Sequence, residues 1–78
     1  MRKQITAQTT LGELALEKGK LGIEVLAVAQ REDGTIHCSA HCMYGAKVGH
    51  GATLAEALDE VFNNIAKLTH ESLARSLS

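Results

Sequence analysis

Two β-type runs on either side of Asp33-Gly34 constrain this chain more than any other feature. The first, Ile23-Glu24-Val25-Leu26-Ala27-Val28-Ala29-Gln30, carries the aliphatic residues that suit a pleated, half-buried surface. Asp33-Gly34 tolerates the positive φ angles of a two-residue hairpin turn, and Thr35 to Tyr44 forms the return strand. A two-residue turn at 33–34 sets Gln30 opposite His37, Ala29 opposite Cys38, Ala27 opposite Ala40 and Val25 opposite Cys42. Side chains alternate across a strand, so the register sorts the faces. One face carries Ile23, Val25, Ala27, Ala29, Ile36, Cys38, Ala40, Cys42 and Tyr44 and reads as the core face. The other carries Glu24, Leu26, Val28, Gln30, His37, Ser39, His41 and Met43, a mixed surface with an apolar spine.

The flanks complete the architecture. Gly45-Ala46-Lys47-Val48-Gly49-His50-Gly51 suits a third strand on the sheet edge, where glycine marks a bulge or a close backbone approach. Thr53-Leu54-Ala55-Glu56 is a capping box. The helix it starts places Leu54, Leu58, Val61, Ile65 and Leu68 on one continuous stripe, widened by Ala57 and Phe62, and runs to about residue 74. Thr10-Leu11-Gly12-Glu13 is a second capping box, with a short helix through Leu14, Ala15 and Lys18 and Gly19 as its stop. Leu14 and Leu16 also alternate as in a strand, and the capping box favours the helix. Residues 1–9 form a polar, Thr/Gln-rich lead-in. The fold class is therefore α+β: a three-stranded antiparallel sheet, a long C-terminal helix packed on one face, and a short N-terminal helix, in the order α-β-β-β-α. With 78 residues and no linker, residues 1–78 make a single domain.

Eight Lys/Arg against nine Asp/Glu give a net charge of −1, and the basic residues cluster only as Arg2/Lys3 and Lys18/Lys20. A phosphate-binding surface needs a basic patch, and base stacking needs aromatics, of which only Tyr44 and Phe62 are present. Nucleic-acid binding is disfavoured. No apolar run approaches the roughly 20 residues of a membrane span, and Met1 to Ile5 has no signal-peptide stretch. The expected setting is the cytoplasm, away from any membrane, with Cys38 and Cys42 as thiols.

His37-Cys38-Ser39-Ala40-His41-Cys42 has the residue types of a zinc site. On a strand, however, positions four apart are about 13 Å apart at about 3.3 Å per residue. His37 and His41 then cannot share an ion, and the cysteines face the other way. The expectation is no metal, no cofactor and no catalytic residue. An antiparallel third strand opens one alternative, a small metal or ligand site formed by His50 falling between His37 and His41. Gly45, Gly49 and Gly51 do not spell a dinucleotide fingerprint.

Two family resemblances follow from these residues. The helix–three-strand–helix order, with Lys47-Val48-Gly49-His50-Gly51-Ala52-Thr53 leading into an Ala-rich helix, resembles a double-stranded-RNA-binding domain. That resemblance implies the topology; Leu54-Ala55-Glu56-Ala57-Leu58 stands where that family carries its lysine cluster. A nucleic-acid- or nucleotide-binding domain through Lys47 and the strand-3 glycines is its functional counterpart. Residues 23–68, with the Asp-Gly turn and Thr53-Leu54-Ala55-Glu56-Ala57-Leu58, resemble the N-terminal half of HicB-type antitoxins, which implies an antitoxin-type binder. By size and near-neutral charge the chain is also similar to small phage accessory proteins of the anti-CRISPR kind, which implies a stoichiometric inhibitor of a bacterial defence complex.

The functional expectation is a non-enzymatic protein-binding module. Its contact surface would be the mixed sheet face (Glu24, Leu26, Val28, Gln30, His37, His41, Met43 and Val48) together with the acidic side of the long helix (Glu56, Asp59 and Glu60). The partner would be a second copy of the chain, as a homodimer, or a foreign protein such as a Cas-type defence component. On this register, substituting Leu26 or Met43 by Asp should leave the fold intact and abolish partner binding.

Overall fold

A computed structural model describes residues 4–77, so the Arg2/Lys3 pair lies outside the described residues. The first capping box forms as expected. Thr10 Oγ1 accepts a hydrogen bond from the Glu13 amide at 3.1 Å, and the Glu13 carboxylate accepts from the Thr10 amide at 3.4 Å. It starts helix α1 (Leu11–Lys20). The expected stop at Gly19 is displaced. The helix continues to Lys20, Leu21 caps it, and the positive φ that ends the turn, 66°, falls on Gly22.

Strands β1 (Ile23–Gln30), β2 (Ile36–Cys42) and β3 (Gly45–Gly51) form an antiparallel sheet in the order β1-β2-β3, and helix α2 (Leu54–Leu77) follows. The α-β-β-β-α order is the one the sequence predicts. The register of the first hairpin is not. The Arg31 amide donates to the Thr35 carbonyl at 2.8 Å, and the Gly34 amide to the Arg31 carbonyl at 2.9 Å. Gly34 has a φ of 90°, whereas no described residue other than glycine has a positive φ, so Asp33 does not occupy a two-residue primed turn. The loop is Glu32-Asp33-Gly34, three residues closed by a left-handed glycine. Asp33 Oδ1 ties it down by accepting from the Thr35 hydroxyl at 2.7 Å and the Thr35 amide at 3.0 Å. These two bonds, the hydroxyl's first, hold the Asp33 carboxyl below its ordinary pKa.

One extra loop residue shifts the pairing by one. Gln30 faces Ile36, Ala29 faces His37, Val28 faces Cys38, Ala27 faces Ser39, Leu26 faces Ala40 and Val25 faces His41. A one-residue shift moves every side chain to the other face. Leu26, Val28 and Gln30 therefore share the inner face with Cys38 and Ala40, while Val25, Ala27 and Ala29 turn outward. A bulge between Ile23 and Val25 then resets the alternation and returns Ile23 to the core, opposite Cys42.

Helix α2 begins at the second capping motif, where the Glu56 amide donates to Thr53 Oγ1 and the Ala52 amide to the Glu56 carboxylate. Its stripe buries Ala57, Leu58, Val61, Phe62 and Ile65 against Ile23, Cys38, Ala40 and Cys42. The helix lies chiefly over β3 and β2 rather than β1. Gly49 is the reason. A Cβ there would sit 2.5 Å from the Val61 amide nitrogen and 2.7 Å from the Ala57 carbonyl oxygen, so backbone meets backbone. Gly51 is similarly tight, at 2.8 Å from the Ala57 amide nitrogen. The N-terminal lead-in is also pinned: Ile5 is buried, and its amide donates to Asp59 Oδ1 at 2.9 Å. Beyond Leu68, whose methyl lies beside Gly45, α2 outruns the sheet, and Leu73 and Leu77 are exposed.

The two glycines Gly49 and Gly19 predict opposite responses to alanine in a denaturant titration. Gly49→Ala should destabilise by about 2–3 kcal/mol, because α2 must move off β3. Gly19→Ala, in open space within α1, should stabilise by about 0.5–1 kcal/mol.

Candidate interaction face

The shifted register builds a three-by-three array on the outer side of the sheet. Ala29, His37 and His50 form one row, Ala27, Ser39 and Val48 the next, and Val25, His41 and Ala46 the third. Both helices lie on the other side, and none of these nine residues is buried. Val25 is 55% exposed and Val48 45%, and Met43, at the turn into β3, is 78% exposed. These side chains are apolar, yet no element among the described residues covers them.

The expected contact residues divide between several places. His37, His41 and Val48 lie on the outer face, and Met43 at its end, as expected. Leu26, Val28 and Gln30 do not. The three-residue loop places them on the inner face, where Leu26 packs against the core. Val28 is half open there because α2 sits over β3 rather than β1. Glu24 is the extra residue of the bulge and is exposed. The acidic side of α2 cannot join the outer face, because α2 packs on the inner one. Two of its members are also engaged in structure: Glu56 in the cap and Asp59 in holding Ile5. Glu60 is exposed beside Gln4, Thr6 and Asn63, at a shallow depression between the lead-in and α2.

Sequence reasoning missed Val25, Ala27, Ala29 and Ala46 as outer-face residues, and Ile5 as a core residue. The residue after the turn held the signal for the first group. A Thr two positions after Asp33 can donate to the Asp carboxylate, and that bond favours the longer loop. For Ile5 the signal was a bulky aliphatic residue standing alone in a polar lead-in.

The side chains with reactive chemistry are separated by the sheet. Cys38 and Cys42 are buried free thiols on the inner face, and burial pushes the Cys38 thiol up, away from the nucleophilic thiolate. The β2–β3 pairing places His50 directly opposite His37, with His41 opposite Ala46. His37 and His50 therefore meet as a pair, and the trio considered as an alternative does not form. Glu17, largely buried in α1, pairs with Lys20 at 3.7 Å. Among the described residues no helix is long and apolar enough to cross a membrane. Comparison with protein-family models, curated proteins and solved structures finds no match to this chain.

Two neighbouring substitutions on β1 test the face assignment by thermal or chemical denaturation. Val25→Asp should change stability by less than about 1 kcal/mol, since it faces water. Leu26→Asp should cost about 2–3 kcal/mol, since it places a carboxylate against the core. The reverse ranking would mean the two-residue register.

Proposed function

We propose that the chain is a non-enzymatic protein-binding module whose contact surface is the outer face of its sheet. The observation that carries this reading is the uncovered array of Val25, Ala27, Ala29, Ala46 and Val48 around His37, Ser39, His41 and His50. Valine and alanine side chains left in water on the two outer strands, flanking a polar middle strand, support an interface on this face.

Its size says how a partner would sit. Three strands about 4.8 Å apart and seven residues long span about 14 by 20 Å, or about 300 Å². A standard interface takes about 800 Å² from each partner. A partner therefore reaches past the face, over Met43 at one end and along β1. As an edge strand, β1 offers backbone groups for an added strand. A stoichiometric inhibitor of a bacterial defence complex, acting in the cytoplasm, is a narrower form of this reading. A homodimer joined through the same face is the form in which the partner is a second copy.

The test compares the wild-type chain, a Val25→Asp/Val48→Asp double variant and a Glu60→Lys control. Each is immobilised and challenged with bacterial lysate, and each is weighed alone by light scattering. The wild type and the control should retain the same stoichiometric partner, or the same dimer, and the double variant should lose it with its circular dichroism unchanged. Retention by all three, or by none, contradicts the assignment.

A further inference from the structure

The outer face also holds an arrangement that protein binding does not require. His37 and His50 are directly opposed across β2 and β3. Their ring centroids are 4.4 Å apart, and the planes are inclined at 63°. The third member of their row is Ala29, whose methyl leaves the β1 side of the pair open. Nδ1 of His37 is shut off from water and has no hydrogen-bond partner. No hydrogen bond holds that nitrogen in place, so turning the ring about its terminal torsion brings it to the open face as a donor or ligand.

We propose that His37 and His50 form a two-imidazole site for a late first-row divalent transition metal ion. Imidazole suits zinc, copper and nickel, whereas magnesium and calcium take oxygen ligands. Two nitrogens each bound at about 2.1 Å stand about 3–4 Å apart. Rings whose centroids are 4.4 Å apart reach that spacing by turning about their terminal torsions. His41 is excluded, because it lies four residues along β2 and opposite Ala46. Cys38 and Cys42 are excluded because they occupy the inner face. No group of three metal-binding side chains converges among the described residues. Water therefore fills the remaining positions, and the ion exchanges freely, unlike that of a closed structural zinc site.

The test uses the full, untagged chain and Ni²⁺, which does not oxidise the two thiols, at a pH above the ordinary histidine range. Calorimetric titration should show one ion bound per chain. Binding should be lost in His37→Ala and in His50→Ala and retained in His41→Ala, with the circular dichroism of all three unchanged. A second readout removes dependence on the variants. Paramagnetic broadening of the wild-type NMR spectrum by substoichiometric Ni²⁺ should centre on Ala29, His37 and His50. No binding by the wild type overturns the proposal. So does binding that survives either single loss, binding that disappears with His41, or broadening centred on Cys38, Cys42 or a chain terminus.

Discussion

The backbone-to-backbone contact of α2 with β3 at Gly49 sets the rest of this structure. With no Cβ in the way, the Ala57–Val61 turn of α2 lies directly on the strand. That closeness brings Val61, Phe62 and Ile65 down onto Cys38 and Ala40, and all five are essentially without exposure. It also moves the helix axis toward one side of a three-stranded sheet. β1 is left with a half-buried Leu26 and an exposed Val28 on its inner side. The chain then has one long helix for two sheet faces. Its short α1 adds only a light contact on β1, so the outer face stays in water.

Most of this architecture was legible in the residues. Both helix starts announced themselves through the Thr-x-x-Glu pattern, because a hydroxyl and a carboxylate at that spacing satisfy amides the helix cannot. The stripe Leu58, Val61, Phe62 and Ile65 read as helical; the hairpin was expected as its partner, and the structure corrects this to chiefly β3 and β2 rather than β1. The glycines of β3 read as a bulge or a close approach, and Gly49 and Gly51 prove to be the latter. What was not legible was the hairpin register. Asp-Gly serves equally in a two-residue loop with both residues at positive φ and in a three-residue loop with glycine alone there. Alternation normally decides between such readings, since a wrong register exposes the core residues. In β1 it could not, because Val25, Ala27 and Ala29 on one phase and Leu26 and Val28 on the other are both aliphatic. A bulge at Glu24 concealed the difference further by keeping Ile23 inside on either reading.

The same ambiguity has a functional side. A strand that is aliphatic on both phases is what a sheet needs if it packs on its own helix with one face and on a partner with the other. The candidate face was therefore recognised as a surface, while all three of its β1 residues, Val25, Ala27 and Ala29, were assigned to the core side. The histidines were less sensitive to that error, because β2 and β3 are joined through Met43-Tyr44 and pair without a bulge from Cys42–Gly45 to Ile36–Gly51. Their pairing needed only the antiparallel return of β3. The exact partner of each, His50 for His37 and Ala46 for His41, depended on where the turn fell.

The claim on which the protein-binding reading stands is that Val25, Ala27 and Ala29 face outward with His41, Ser39 and His37. Cross-strand nuclear Overhauser contacts in the uniformly labelled chain test it most directly. The structure requires contacts that pair Ala27 with Ser39 and Val25 with His41. Contacts pairing Ala27 with Ala40 and Val25 with Cys42 would contradict it. They would return the aliphatic row of β1 to the core and take Val25, Ala27 and Ala29 out of the face on which the protein-binding reading rests, while the His37–His50 pairing of β2 and β3 would stand.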